Sequence, residues 1–335
     1  MELGHRLPID PLVSVVVPAF NAENTIALTL ESVLAQTYRN IEIIVVDDGS
    51  TDSTADIVAS IPPCDVPIRY ESKSNGGVAS ARNCGIRLAK GELLATLDAD
   101  DLWHPTKIER QVARLHAAGE AAAMVYVWCS WMDQDGRTLA FAPRKYVEGD
   151  ILPYLCLGDI ILSGSNALFR TEALRAVGGF DENLRAMGAQ GCEDWKLYME
   201  MGSRYAVALV PDYLVRYRRS AASMSEDYLQ MMRSYRMVEL DFSRRFPQYR
   251  RQLGYGRVKL TRSFVLRALK RHEYAMMFRL LAGYPDPSSR FLVQSIVTAL
   301  SLVPRWINSR LRRSMSLSPA SRSADMGKST VRRPH

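Results

Sequence analysis

The chain has 335 residues, 47% hydrophobic and 24% charged, the balance of an ordinary globular protein with one large domain plus an appendage, or two modest domains. Five cysteines, odd in number and never at C-x-x-C spacing, argue against a zinc site or a disulfide framework and fit a reducing compartment. No signal-peptide core lies in Met1–Asp10 and no apolar run has the length of a spanning helix, while the net charge of +7 hides a basic last third, 22 Lys/Arg against 7 Asp/Glu over residues 226–335.

Val13 to Val17 is a β-branched run halted by Pro18, a buried strand. Ile26, Leu30, Val33 and Leu34 recur at helical spacing, predicting an amphipathic helix over 24–37 with Asn24 as its cap. Ile41 to Val46 is a second strand, closed by Asp47-Asp48-Gly49-Ser50, and Thr51–Ile61 a second helix. This βαβα order implies a parallel sheet with right-handed crossovers. The alternation continues with a strand near Ile68–Tyr70, a glycine turn at Asn75–Gly77, a helix over Val78–Lys90 and a strand from Leu93 to Leu97. A helix from Pro105 presents Ile108, Val112 and Leu115 on one face. Met124–Trp131 then reads as a strand turning through Gln134–Gly136 into Thr138–Ala142. Gly164–Arg170 is an inner strand, Thr171–Val177 and Glu193–Gly202 are helices, and Tyr205–Val210 is a late strand. From Asp227 the segments are helical and rich in Arg, Met and Leu; beyond Ser309 there is little to bury, so disorder is expected. The expected organisation is an α/β domain over 10–225, a helical extension over 226–309 and a basic tail over 310–335.

The most informative stretch is the end of the Leu93 strand, where Asp98, Asp100 and Asp101 follow within four positions. Residues i and i+2 of extended chain point to one side, so Asp98 and Asp100 converge beyond the strand end, where open α/β sheets bind ligands. Two convergent carboxylates repel unless a cation, a sugar hydroxyl or a proton lies between them. A small set of hard oxygens suits Mg²⁺ or Mn²⁺ bound together with a substrate phosphate. Taken alone, the stretch is equally an acidic turn capping the following helix, with Asp101 either a supporting partner or that cap.

Other motifs decide between these. Val13–Asn21, then Val45-Val46-Asp47-Asp48-Gly49-Ser50-Thr51-Asp52, then Asp98-Ala99-Asp100-Asp101, resemble the inverting family 2 glycosyltransferases of the GT-A nucleotide-sugar fold. Gly77–Asn83, Val177–Asp181 and Glu193-Asp194-Trp195 agree in order and spacing, and the resemblance spans residues 12–225. It implies a mixed, mostly parallel central sheet flanked by helices. It also implies transfer of a single sugar from a nucleoside-diphosphate donor, UDP- or dTDP-linked, to a hydroxyl of a saccharide or lipid-linked acceptor.

By that resemblance Pro18, Phe20 and Glu23 lie near the nucleoside, one of Asp47 and Asp48 accepts the base N–H, and Arg82 faces the diphosphate. Asp100 ligates a divalent cation (Mn²⁺ or Mg²⁺) and Asp98 contacts ribose or the ion's water shell. Asp194 is the base, held ionised by its position at a helix N-terminus, while Glu193 and Trp195 line the acceptor pocket. One departure stands out. Relatives carry a metal-completing histidine close to Ser220, but no histidine occurs here between His116 and His272. The Gln-x-x-Arg-Trp motif of processive relatives is absent too, since Leu302 precedes Arg305-Trp306 in the glutamine's place.

Lys259, Arg262, Arg267, Lys270, Arg271 and Arg279 interleave with Leu260, Phe264, Leu266 and Leu269, which suits either a helix on an anionic membrane surface or a helical cap on the catalytic domain. The expected location is cytoplasmic, peripheral on the inner face of the cell membrane, with no nucleic-acid partner. A nucleotidyltransferase would want a basic Gly-rich loop after the first strand, which Pro18–Glu23 lacks. A nucleotide-sugar-binding protein without transfer activity is the remaining alternative, and a dinucleotide oxidoreductase is disfavoured by the missing Gly-x-Gly-x-x-Gly.

Overall fold

A computed structural model describes residues 7–220 and 223–284. In chain order its elements are β1 (Val13–Ala19), α1 (Ile26–Leu34), β2 (Ile41–Asp47), α2 (Thr54–Ala59), β3 (Ile68–Ser72), α3 (Val78–Leu88), β4 (Leu93–Thr96), β5 (Leu102–Trp103), α4 (Lys107–Ala118), β6 (Ala122–Met132) and β7 (Thr138–Phe141). They continue with α5 (Leu152–Leu155), β8 (Ala167–Arg170), α6 (Thr171–Ala176), α7 (Asn183–Ala186), α8 (Glu193–Gly202), β9 (Ala206–Arg218), α9 (Tyr228–Arg245), α10 (Arg250–Lys270) and α11 (Tyr274–Gly283).

One sheet runs in the order β3-β2-β1-β4-β8-β6-β9-β5, with β7 paired to β6. β1 to β4 are mutually parallel, β8 runs against both β4 and β6, and β9 returns parallel to β6. The expected mixed, mostly parallel sheet is therefore present. Burial on both faces explains the unbroken apolar runs of its strands, because alternate residues serve opposite layers. Val13, Val15 and Val17 join Ile26, Leu30, Ile108 and Leu115 of α1 and α4 in one core. Val16 faces the other, with Ile86, Leu174, Leu197 and Val238. There Gly85 lets α3 lie directly on β1: a Cβ at Gly85 would stand 2.2 Å from Val16 Cγ1.

Several boundaries differ from the sequence expectation, each for a local reason. α1 starts at Ile26 with Thr25 at its N-cap, so Asn24 does not cap it. The helix expected over 51–61 keeps only Thr54–Ala59, because the Asp52 carboxylate accepts from Glu23 N and from Thr54 and holds the preceding residues as a turn. The inner strand begins at Ala167, with Gly164–Asn166 forming a 3-10 turn. β9 runs past Pro211 to Arg218. Its register against β6 shifts between Val127 and Trp128, and that bulge absorbs the missing proline donor.

The chain divides into two compact units after Val265. The first extends beyond residue 225 because α9 buries Tyr228, Met232, Tyr235, Val238 and Phe242. The described part of the second is the end of α10 followed by α11. The apolar run over 291–307, Arg305-Trp306 and the tail over 310–335 lie outside the described residues. No helix among those described is long and apolar enough to cross a membrane.

Candidate active site

Past β4 the chain turns sharply, and distant donors hold the turn. Asp98 N–H donates to Ser165 Oγ (3.1 Å), which in turn donates to Asp101 Oδ2 (2.6 Å). Asp101 Oδ1 accepts from Arg218 N (2.8 Å), and Arg218 Nε donates to Asp100 O (2.8 Å). Asp101 is fully buried and serves as the keystone of this loop rather than as a cap for α4. Burial and the charges of Asp100 and Asp98 keep its carboxyl well above the usual carboxylate range.

With the loop so fixed, Asp98 and Asp100 line a single cavity of about 1390 Å³ together with Pro18, Phe20, Arg82 and Asp194. The Asp98 carboxylate accepts from Arg82 Nη2 (2.5 Å). No side-chain donor among the described residues reaches the Asp100 carboxylate. Burial pushes the Asp100 carboxyl up to about 6, the Asp98 charge adds to the rise, and Arg218 opposes it.

Arg82 is almost wholly buried beneath this wall. Besides Asp98 it meets Glu193 Oε1 at 3.8 Å and lies over the Phe180 ring, 5.0 Å from the centroid. Its Nε and Nη1 are buried without a hydrogen-bond partner, so the guanidinium retains capacity to donate to an anion. Glu193 Oε2 accepts from Gly191 N (2.7 Å), which makes it the brace between Arg82 and the turn entering α8.

Asp194 follows in the first turn of α8, its Oδ1 accepting from Trp195 N (2.7 Å). Burial opposes the ionisation expected from the helix N-terminus. Burial pushes its carboxyl up to about 8, the charges of Asp159 and Glu193 add to the rise, and Arg82 only partly offsets them. Desolvation outweighs the helix dipole here. Trp195 lines the same cavity, but not with an open ring face. Its ring is buried, stacks on Tyr235 at 4.4 Å and donates from Nε1 to Leu155 O, so its face is occupied by protein.

Phe20 is 53% exposed at the end of β1 and lines the cavity, a free aromatic face where a nucleobase was expected. Glu23, Asp47 and Asp48 are not among the lining residues. Glu23 accepts from Ser53 N, Asp47 from Ser50 N (2.7 Å) and Tyr70 Oη, and Asp48 from Lys73 Nζ (2.7 Å), Gly76 N (2.8 Å) and Gly77 N (2.6 Å). The sequence pattern brought these side chains near the site, and local N–H groups take up their oxygens.

Among the described residues no group of three or more His, Cys, Asp or Glu converges as a metal cage. Asp98 and Asp100 offer hard oxygens beside an open cavity, which fits an ion whose remaining positions belong to phosphate oxygens and water. Where relatives carry histidine the wall holds Ser220, whose Oγ meets Ser223 Oγ at 3.1 Å. Ser165, Arg218 and Asp159 carry no role in the sequence reading, since each acts across a long stretch of chain.

The chain is similar to known glycosyltransferases. The model of glycosyl transferase family 2 matches residues 14–178. An uncharacterized glycosyltransferase of Rickettsia typhi is 28% identical over 87% of this chain and 92% of its own length. The Escherichia coli UDP-Glc:α-D-GlcNAc-diphosphoundecaprenol β-1,3-glucosyltransferase is 48% identical over 30% of this chain and 40% of its own. Among solved structures, a mannosyltransferase of Pyrobaculum calidifontis in complex with GDP-Man and Mn²⁺ superposes with a TM-score of 0.56 at 22% identity, covering 90% of this chain and 83% of that one. The sheet, the acidic loop at its centre and these likenesses lead to one conclusion: the chain belongs to glycosyl transferase family 2 and is a glycosyltransferase of the GT-A fold.

Proposed function

We propose that the protein transfers one sugar, with inversion, from a UDP- or dTDP-sugar to a hydroxyl of a saccharide or lipid-linked acceptor in cell-surface polysaccharide or glycoconjugate synthesis. The observation that carries this reading is that Asp98, Asp100 and Asp194 open on one cavity. Phe20 stacks on the nucleobase and Arg82 donates to the diphosphate. Asp100, with Asp98, holds the divalent cation, Mn²⁺ or Mg²⁺. When bound, that ion neutralises charge on the departing nucleoside diphosphate. Asp194 takes the acceptor hydroxyl's proton as its oxygen bonds to C1, and the C1–phosphate oxygen bond breaks on the opposite face. Buried among other carboxylates, Asp194 is a stronger base than an exposed aspartate. The sugar-nucleotide reading draws on the Escherichia coli relative, which uses UDP-Glc, and the cation on the Pyrobaculum complex. Lipid-linked acceptors imply work at the inner face of the membrane.

The test is mass-spectrometric detection of product from a panel of UDP- and dTDP-sugars with Mn²⁺ and GlcNAc-diphosphoryl-prenol, followed by NMR of the new linkage. Inversion at C1, lost in Asp194→Asn while UDP still binds, is expected. A retained configuration, or transfer undiminished in that variant, refutes the reading.

A further inference from the structure

The cavity has a wall that donor binding and base catalysis leave unused. Gly256, Lys259, Leu260 and Ser263 of α10 line it at i, i+3, i+4, i+7 spacing, so one face of that helix is turned inward. The helix packs close enough because residue 256 has no side chain. A Cβ there would stand 2.2 Å from Tyr235 Oη and 3.1 Å from Cys156 O. Leu157, Ile160 and Leu162 add apolar surface to the same cavity, and Leu157 and Leu162 are each 37% exposed.

Two cations stand in this apolar setting, Lys259 and Lys145. The backbone at Lys145 is anchored: Lys145 O accepts from Trp128 Nε1 (3.2 Å) and from Tyr126 Oη (3.4 Å). Among the described residues the lysine ion pairs are those of Lys73 and Lys196, so neither Lys145 nor Lys259 is neutralised by an acid. Two unneutralised ammonium groups on a cavity that also holds exposed leucines match a ligand whose anionic group is joined directly to an apolar chain. A neutral oligosaccharide uses neither feature.

We infer that this wall is the acceptor subsite for a lipid-linked phosphate. Lys145 and Lys259 clasp the phosphate or diphosphate, and Leu157, Ile160, Leu162 and Leu260 receive the first units of its chain. The inference rests on the glycosyl-transfer reading of the same cavity and adds to it the side chains that select a lipid-linked acceptor over a free saccharide.

Farnesyl diphosphate, kept below its micelle concentration, is the probe. Its binding to the full chain is measured calorimetrically with UDP and Mn²⁺ saturating, so that the donor diphosphate position is filled. Wild type binds it and binds farnesol far more weakly. Lys259→Gln and Lys145→Gln each lower the affinity about tenfold, while Lys259→Arg retains it. Melting midpoints of the variants report their folding.

Wild type that ignores the probe, or glutamine variants that bind it as wild type does, overturns the inference. Farnesol binding as tightly as its diphosphate does so as well. Lysine-dependent binding to phosphatidylglycerol vesicles without binding of the soluble probe assigns the lysines to a membrane surface and also overturns it. Failure of UDP itself to bind strikes the glycosyl-transfer reading instead.

Discussion

Two parallel strands of this sheet, β2 and β4, end in adjacent carboxylates, and the two ends behave in opposite ways. At the β2 end Asp48 accepts from Lys73, Gly76 N and Gly77 N, and Asp47 from Ser50 N and Tyr70, so both are consumed in building the loop. At the β4 end the structural duty falls on Asp101 alone, which collects Ser163, Ser165 and Arg218 N. Asp100 is thereby released to the cavity, while the Asp98 carboxylate faces it with Arg82 as its one side-chain partner among the described residues. The lesson is one of hydrogen-bond supply: a carboxylate is available to a ligand only where the neighbouring backbone and side chains do not already satisfy it.

The sharpest way to break the contrast is to remove charge at the β4 end. Asp100→Asn should lower Mn²⁺-dependent transfer by about 10³ or more with secondary structure and melting midpoint preserved. Turnover within tenfold of wild type would erase the distinction. Asp194→Asn should lower turnover by about 10²–10⁴, the usual worth of a positioned base.

The same variant carries a stability signature. The folded-state pKa of Asp194, about 8, lies above the unfolded value of 3.8, so ionising it subtracts stability as pH rises between those values. Asp194→Asn should therefore melt roughly 2–4 °C or more above wild type at pH 8, with little difference at pH 4. In wild type, transfer should climb from pH 6 to about 8 and then level, because only the anion accepts a proton. A profile already flat at pH 6 would contradict the burial argument.

The smallest effect on turnover is expected at the β2 end. Asp48→Asn keeps one acceptor oxygen but loses the charge opposite Lys73, so it should cost about 1–3 kcal/mol of stability in denaturant titration. Transfer by the folded fraction should fall far less than in Asp100→Asn. A loss of turnover as large as that of Asp100→Asn, with unchanged stability, would place Asp48 at the ligand instead.

Much of this was legible in order and spacing. Apolar runs alternating with amphipathic segments predict the parallel half of the sheet, and an Asp-x-Asp at a strand end predicts a pair facing one way. The motif Glu193-Asp194-Trp195 picked out a carboxylate that lines the cavity, though not its protonation, since the dipole of α8 is a local feature and the burial around it is not. β9 was underestimated because a proline normally ends a strand, and only pairing with β6 shows that a bulge accommodates it.

Periodicity and strand-end chemistry are properties of neighbouring residues, so the chain's order alone was enough for the fold class and the acidic pair, and the resemblance of its motifs for the family. Which carboxylate is spent and which is open depends on partners far along the chain: Arg218 reaches Asp101 across 117 positions, and α10 brings Lys259 to a cavity begun at Pro18. Those choices belong to packing, because desolvation and hydrogen-bond supply at a site are set by everything folded around it.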